Sequence, residues 1–181
     1  LTTRLGEFEP FNNRKYKSPN YIFDIYINRG ETITFFLKLK SGEQMLAPLK
    51  LGSPKDILEA SSTDEMIFGI YAGIILVMFF YNLFIYLTTK DRSYLLYISH
   101  IFIVGLTQAC IRGYSFKYLW PENIVFAQQS MYWLPSISGI LAIAFLIEFL
   151  KIEKYEQWAS KIYIYFYAPS YCIAIILSSF C

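Results

Sequence analysis

The sequence predicts a multi-span α-helical membrane bundle preceded by the last strands of an antiparallel β-sandwich. Three observations carry that prediction. The 181 residues are 55% hydrophobic and 19% aromatic but only 17% charged, against roughly 25% charged in soluble domains. Residues 1–65 hold nine Lys/Arg and nine Asp/Glu, so 18 of the 30 charges sit in about a third of the chain. The apolar stretches there reach the ~20 residues that cross ~30 Å of hydrocarbon. These features exclude a soluble globular enzyme. A formal net charge of +2, scattered along the chain, excludes a nucleic-acid partner.

The strands come first. In 32–40 (TITFFLKLK), Ile33, Phe35, Leu37 and Leu39 share one face and Thr34, Lys38 and Lys40 the other, the period of a half-buried strand. Residues 21–27 repeat the pattern, with Tyr21, Phe23, Ile25 and Ile27 opposite Asp24. Asn28-Arg29-Gly30-Glu31 between them has turn chemistry, so a hairpin is expected. Ser41-Gly42 opens another turn, and 45–51 reads as a third strand, placed at an edge by Pro48. Three strands cannot bury two faces. Residues 1–52 are therefore expected to be the end of an extracytoplasmic sandwich whose earlier strands precede Leu1, and 53–65 a linker. Without cysteine, this part has no disulfide staple.

Four spans follow. Residues 66–87 contain Asn82 as their one strongly polar side chain. Residues 94–113 carry His100, Gln108 and Arg112. Residues 124–150 carry Gln128, Gln129 and Pro135, ending near Glu148, and 162–181 contain Pro169. Each proline removes a helical hydrogen bond and is expected to kink its span. Orientation follows from basic residues in short loops. With the amino terminus outside, the inner loops hold Lys90, Arg92, Lys151, Lys154 and Lys161, and the outer loop only Arg112 and Lys117. Tyr114, Tyr118 and Trp120 then form an outer aromatic belt, and Tyr86, Tyr94 and Trp158 an inner one.

Polar residues inside lipid are candidates for function. Asn82 and His100 lie at similar depth, ~9–10 Å from the inner boundary at 1.5 Å per residue. They are a candidate interhelical polar pair, either a simple fastening or a hydrogen bond that breaks on signalling. Gln108, Arg112, Glu122 and Gln128 are a candidate polar cup beneath the outer face, with Arg112 close enough to the boundary to snorkel instead. Gly69-x-x-x-Gly73 allows a second backbone to approach, as a packing site or a pivot. Cys110, Cys172 and Cys181 read best as buried thiols, with a Cys110–Cys181 bridge left open. No catalytic residue, metal ligand set or cofactor site is expected. A lone His100 lacks partners at ligand spacing, and no nucleophile elbow, HExxH or phosphate loop is present.

Residues 69–97 read GIYAGIILVMFFYNLFIYLTTKDRSYLLY, with Gly69 and Gly73, Tyr81-Asn82, Lys90-Asp91-Arg92, and Tyr94 with Tyr97. Further on stand Gly113 through Tyr118-Leu119-Trp120-Pro121, and Phe145 through Phe149-Leu150. This order closely resembles the membrane region of the bacterial seven-transmembrane receptors with diverse intracellular signalling modules. Upstream, 23–51 is similar to the end of that family's second type of extracellular domain, a jelly-roll akin to carbohydrate-binding modules. The resemblance implies a signal receptor in the bacterial inner membrane, with a periplasmic sensor and a cytoplasmic output module such as a kinase, cyclase or phosphatase. It also implies an unknown small-molecule ligand, carbohydrate-like among the candidates; membrane lipid and a homodimeric second copy are the other expected partners. The chain departs from the family by ending after about four spans with no output module. A transporter or channel module and a membrane scaffold stand as alternatives.

Overall fold

A computed structural model describes residues 5–6, 8–40, 48–151 and 167–179. Helix α1 runs Pro54–Thr89, α2 Arg92–Ile111, α3 Tyr114–Tyr118, α4 Ile124–Leu150 and α5 Ala168–Ser179. A single 3₁₀ turn, Phe11–Asn13, precedes them. Among the described residues, α1, α2 and α4 are long and apolar enough to cross a membrane. Their surfaces show what surrounds them. Only 6% of the most apolar stretch of α1 is buried, and Val77 and Phe84 are 69% and 71% exposed. Water would penalise that surface heavily; lipid does not. The few buried residues of the bundle include Ile98 and Ile101 of α2, and beside them the small or polar Asn82, Ser115, Ser130 and Ser136, residues of the kind that let membrane helices approach closely.

Local chemistry fixes the helix ends. Ser53 caps α1 in a reciprocal box, its Oγ accepting from Asp56 N while the Asp56 carboxylate accepts from Ser53 N, with Pro54 at the first helical position. Lys90 ends α1 in the left-handed conformation, φ 55°. Asp91 then caps α2, accepting from Ser93 N at 2.9 Å. That bond, aided by the Lys151 charge, holds the Asp91 carboxyl below its ordinary range and brings the inner turn within electrostatic reach of the end of α4. Gly113 takes a positive φ of 74° that starts α3, and Asn123 caps α4 through Phe126 N.

The spans expected at 94–113 and 124–150 appear as helices within two residues of those limits, and 66–87 lies inside the longer α1. Residues 54–65 are helical as well. The residues read as a linker form the first turns of α1, so one helix about 54 Å long at 1.5 Å per residue joins the extracytoplasmic part to the inner turn. Helix α2 packs against α1 and α4, and α4 against α5. The glycines that permit these crossings are Gly105, where a Cβ would stand 3.0 Å from Ile75 Cγ2, and Gly139, where it would stand 2.5 Å from Tyr171 Cζ. Gly69 and Gly73 meet nothing within 4 Å. The GxxxG expected to pack helices therefore faces outward within this chain. Helix α4 continues through Pro135, while Ser136 Oγ donates to the Tyr132 carbonyl. Pro169 lies second in α5; the first residues of the expected span 162–181 lie outside the described residues.

The strand expectations fare differently. The turn at 28–31 is present, with Glu31 N donating to the Asn28 carbonyl and Gly30 at φ 83°. Among the described residues, however, no strand forms over 21–27, 32–40 or 48–51. Residues 45–47 lie outside the described set. The alternating side chains Phe23, Ile25, Phe35 and Leu37 are 41–54% exposed. With no second layer over that face, ladder pairing has little burial to support it.

Candidate functional site

The polar chemistry of the molecule gathers at the outer end of the bundle. Arg14 is its centre, 92% buried. Its Nη1 donates to the carbonyls of Ser18 (3.2 Å) and Pro19 (3.0 Å). Its guanidinium carbon stands 4.5 Å from the Tyr21 ring centre, 4.8 Å from Phe11 and 5.7 Å from Phe116. Three ring faces around one desolvated cation give cation–π attraction of about 2 kcal/mol or more. Phe116 belongs to α3, so Arg14 pins the amino-terminal segment to the α2–α4 connection. Further ties act alongside it: Phe11 N donates to the Pro121 carbonyl at 2.9 Å, Asn12 Nδ2 donates to Glu122 at 3.3 Å, and Pro19 lies against Gly113. Behind this clasp, Lys15 and Tyr16 both bond Asp24, which lowers the Asp24 carboxyl below its ordinary value of 3.8.

Helix α1 joins from the other side. Phe68 stacks on Tyr114 with ring centres 4.0 Å apart, and Lys117 Nζ pairs with Glu65 at 2.7 Å. Burial opposes the charge on Lys117, but the Glu65 carboxylate and the Tyr118 hydroxyl outweigh it and raise the amine above 10.5. Burial, reinforced by Glu65 and Asp64, raises the Tyr114 hydroxyl above 10.0, with Lys117 and Arg112 opposing. Those four charges therefore all lie within electrostatic reach of one ring. A cavity of about 380 Å³ opens between the amino-terminal segment, α1, the end of α2 and the start of α4. Arg14, Asp64, Arg112, Ser115, Trp120 and Gln128 are among its walls.

Of the expected polar cup, Arg112 and Gln128 line this cavity. Glu122 is taken up by Asn12, and Gln108 lies outside the wall. The expected Asn82–His100 pair is not bonded together. Asn82 Nδ2 donates to the Met78 carbonyl of its own helix at 2.7 Å, and His100 Nδ1 faces the Ser138 carbonyl of α4 at 3.1 Å. Ser138 Oγ lies 3.4 Å from the same nitrogen. His100 thus fastens α2 to α4, and Asn82 is satisfied locally. Cys110 is a free, buried thiol 3.6 Å from Ser130 Oγ, and Cys181 lies outside the described residues. No cluster of three or more His, Cys, Asp or Glu suited to a metal occurs among the described residues. Arg14 was invisible to sequence reasoning. The one hint was its place in a charged stretch flanked by Phe11, Tyr16 and Tyr21, and nothing there marks burial.

Fold and site together define a multi-span helical membrane protein whose amino-terminal segment is clasped to the outer ends of its helices. The family model described as 7TM diverse intracellular signalling matches residues 64–181, and the one described as 7TMR-DISM extracellular 2 matches residues 1–53. The chain belongs to the 7TMR-DISM family, as a multi-pass transmembrane receptor with an extracellular sensor region. No curated protein and no solved structure matches it.

Proposed function

We propose that this chain is the sensor-to-membrane junction of a bacterial inner-membrane receptor, passing the state of its periplasmic domain to a cytoplasmic signalling module. The carrying observation is the continuity of α1. A capped helix running from Ser53 to Thr89 transmits displacement along its axis rather than absorbing it in a loop. The Glu65–Lys117 and Phe68–Tyr114 contacts link that rod to the clasp around Arg14. In this reading the chain is no enzyme itself, and its extracellular region binds a small, carbohydrate-like molecule. A ligand there acts only by binding two arrangements with different affinity.

We also infer that 21–27, 32–40 and 45–51 serve as strands of a jelly-roll sandwich. Their period-two alternation, their uncovered apolar face and the match to the extracellular domain support it. In the full receptor, backbone amides at 23–27 and 34–39 should exchange slowly with deuterium; rapid exchange at both overturns the sandwich.

Coupling is tested with a fluorophore at Lys90→Cys on the inner turn, in a background of Cys110, Cys172 and Cys181 changed to Ser. Locking the outer junction with a Glu65→Cys/Lys117→Cys disulfide should shift its emission, and reduction should restore it. An unchanged spectrum points to a scaffold, while solute flux through liposomes bearing the protein would point to a transporter.

A further inference from the structure

At the outer junction three cations, Arg14, Arg112 and the nearby Lys117, meet two carboxylates, Asp64 and Glu65. Among the described residues, neither Arg14 nor Arg112 has a carboxylate partner. Of the acids in its wall, Glu65 is already held by Lys117, and Asp64 stands exposed on α1, as Arg112 does at the end of α2, while Arg14 is buried. A buried cation without a counter-anion is costly. Two side-chain atoms of residues in that wall, Arg14 Nε and Ser115 Oγ, are fully buried and have no hydrogen-bond partner among the described residues. Buried polar atoms are ordinarily satisfied, so unpartnered groups sharing one cavity mark a missing partner. At about 380 Å³ the space lies within the ~300–1,000 Å³ of small-molecule sites.

We propose that this cavity binds a small molecule through an anionic oxygen group, a carboxylate or a phosphate. The anion meets Arg112 and Gln128 at the rim. A rotation of Ser115 about χ1 then turns its hydroxyl inward, and the Arg14 charge behind it completes the positive wall. Asp64 opposes the anion from α1. Occupancy therefore draws the end of α2 and the amino-terminal clasp inward while pushing α1 away, which is a differential contact of the kind a receptor needs. This deepens the receptor reading and rests on it for its consequence, though not for binding.

Trp120 in the cavity wall reports occupancy. The whole chain is placed in phosphatidylcholine nanodiscs and titrated with sodium acetate or inorganic phosphate, with sodium chloride at equal ionic strength as reference. A saturable fluorescence change is expected with the oxyanions and not with chloride. Arg112→Ala should weaken it about tenfold, the scale of one charge-assisted hydrogen bond. Asp64→Asn should tighten it several-fold, and it keeps the test decisive if the arginine variant misfolds. If soluble anions are silent but phosphatidylglycerol nanodiscs give an Arg112-dependent change, the anion is a lipid headgroup and the site stands. A response matching chloride, or one indifferent to both variants, overturns the site. Anion binding that leaves the Lys90 reporter unmoved would sink the receptor reading and leave the site in place.

Discussion

Replacing Gly139 with alanine tests the helix packing most directly. A Cβ there would lie 2.5, 2.8 and 2.9 Å from three atoms of the Tyr171 ring. Ordinary carbon contacts begin near 3.5 Å, so the ring or α5 has to retreat by roughly 1 Å. Overpacking of that size costs about 1–3 kcal/mol. Alanine also favours any helix over glycine, by about 1 kcal/mol in water. The control removes that contribution: Gly69→Ala brings the same propensity gain into space empty to 4 Å. The difference between the two variants should therefore equal the overpacking cost, with Gly139→Ala the less stable by about 1–3 kcal/mol. Unfolding of the 181-residue chain by dodecyl sulfate in mixed micelles, followed by tryptophan fluorescence, measures it. Adding Tyr171→Ala should make the double variant less damaged than the two single losses summed. Equal midpoints for Gly139→Ala and Gly69→Ala, or strict additivity with Tyr171→Ala, would refute the packing.

Other predictions follow from the junction and the turns. Arg14→Ala should expose the segment before Tyr21 to protease while leaving α1, α2 and α4 inserted, and Arg14→Lys should rescue only part of the protection, because an ammonium lacks the flat guanidinium face; unchanged digestion would show that the clasp lies elsewhere. Lys117 has a raised folded value, so its tie to Glu65 contributes fully below pH 10.5 and fades as pH climbs through that higher value. Acylation of Lys117 should accordingly lag behind that of Lys90 at pH 9–10, and equal rates would contradict the pairing. A cysteine at Lys90 should react with a membrane-impermeant maleimide only from the inner side; labelling from outside would invert the topology. Finally, His100→Phe should loosen α2 from α4 by about 0.6 kcal/mol, the average for such membrane contacts, read from the same unfolding midpoints; an unmoved midpoint would show that the contact with Ser138 carries no weight.

The limits of α2 and α4 were legible because they depend on near neighbours, whereas the start of α1 was not. Residues 124–150 read as a helix from their run of apolar side chains, and the chain around Lys90 and Asp91 turned where charges interrupt that run. The outer position of Arg112 and Gln128 was legible from depth alone. The partner of His100 was not. Matching depths named Asn82, but depth says nothing of which side of a helix faces which, and the ring turned to Ser138 on a helix 38 residues away. The helix crossings escaped the sequence for a related reason. Gly69 and Gly73 have the spacing of a packing motif, while Gly105 and Gly139, each alone in sequence, make the actual crossings.

By itself the sequence determined which part of the chain is apolar and where α2 and α4 run, because hydropathy acts within a few residues along the chain. Tertiary structure decided which faces meet, that a linker stiffens into the first turns of α1, and that an arginine far from the spans becomes the buried clasp of the outer junction. The physical reason is that neither α1 nor α4 gathers its apolar residues on one face. With no polar stripe to mark an inward face, only shape and a few polar contacts choose the packing, and those arise between residues the sequence keeps far apart.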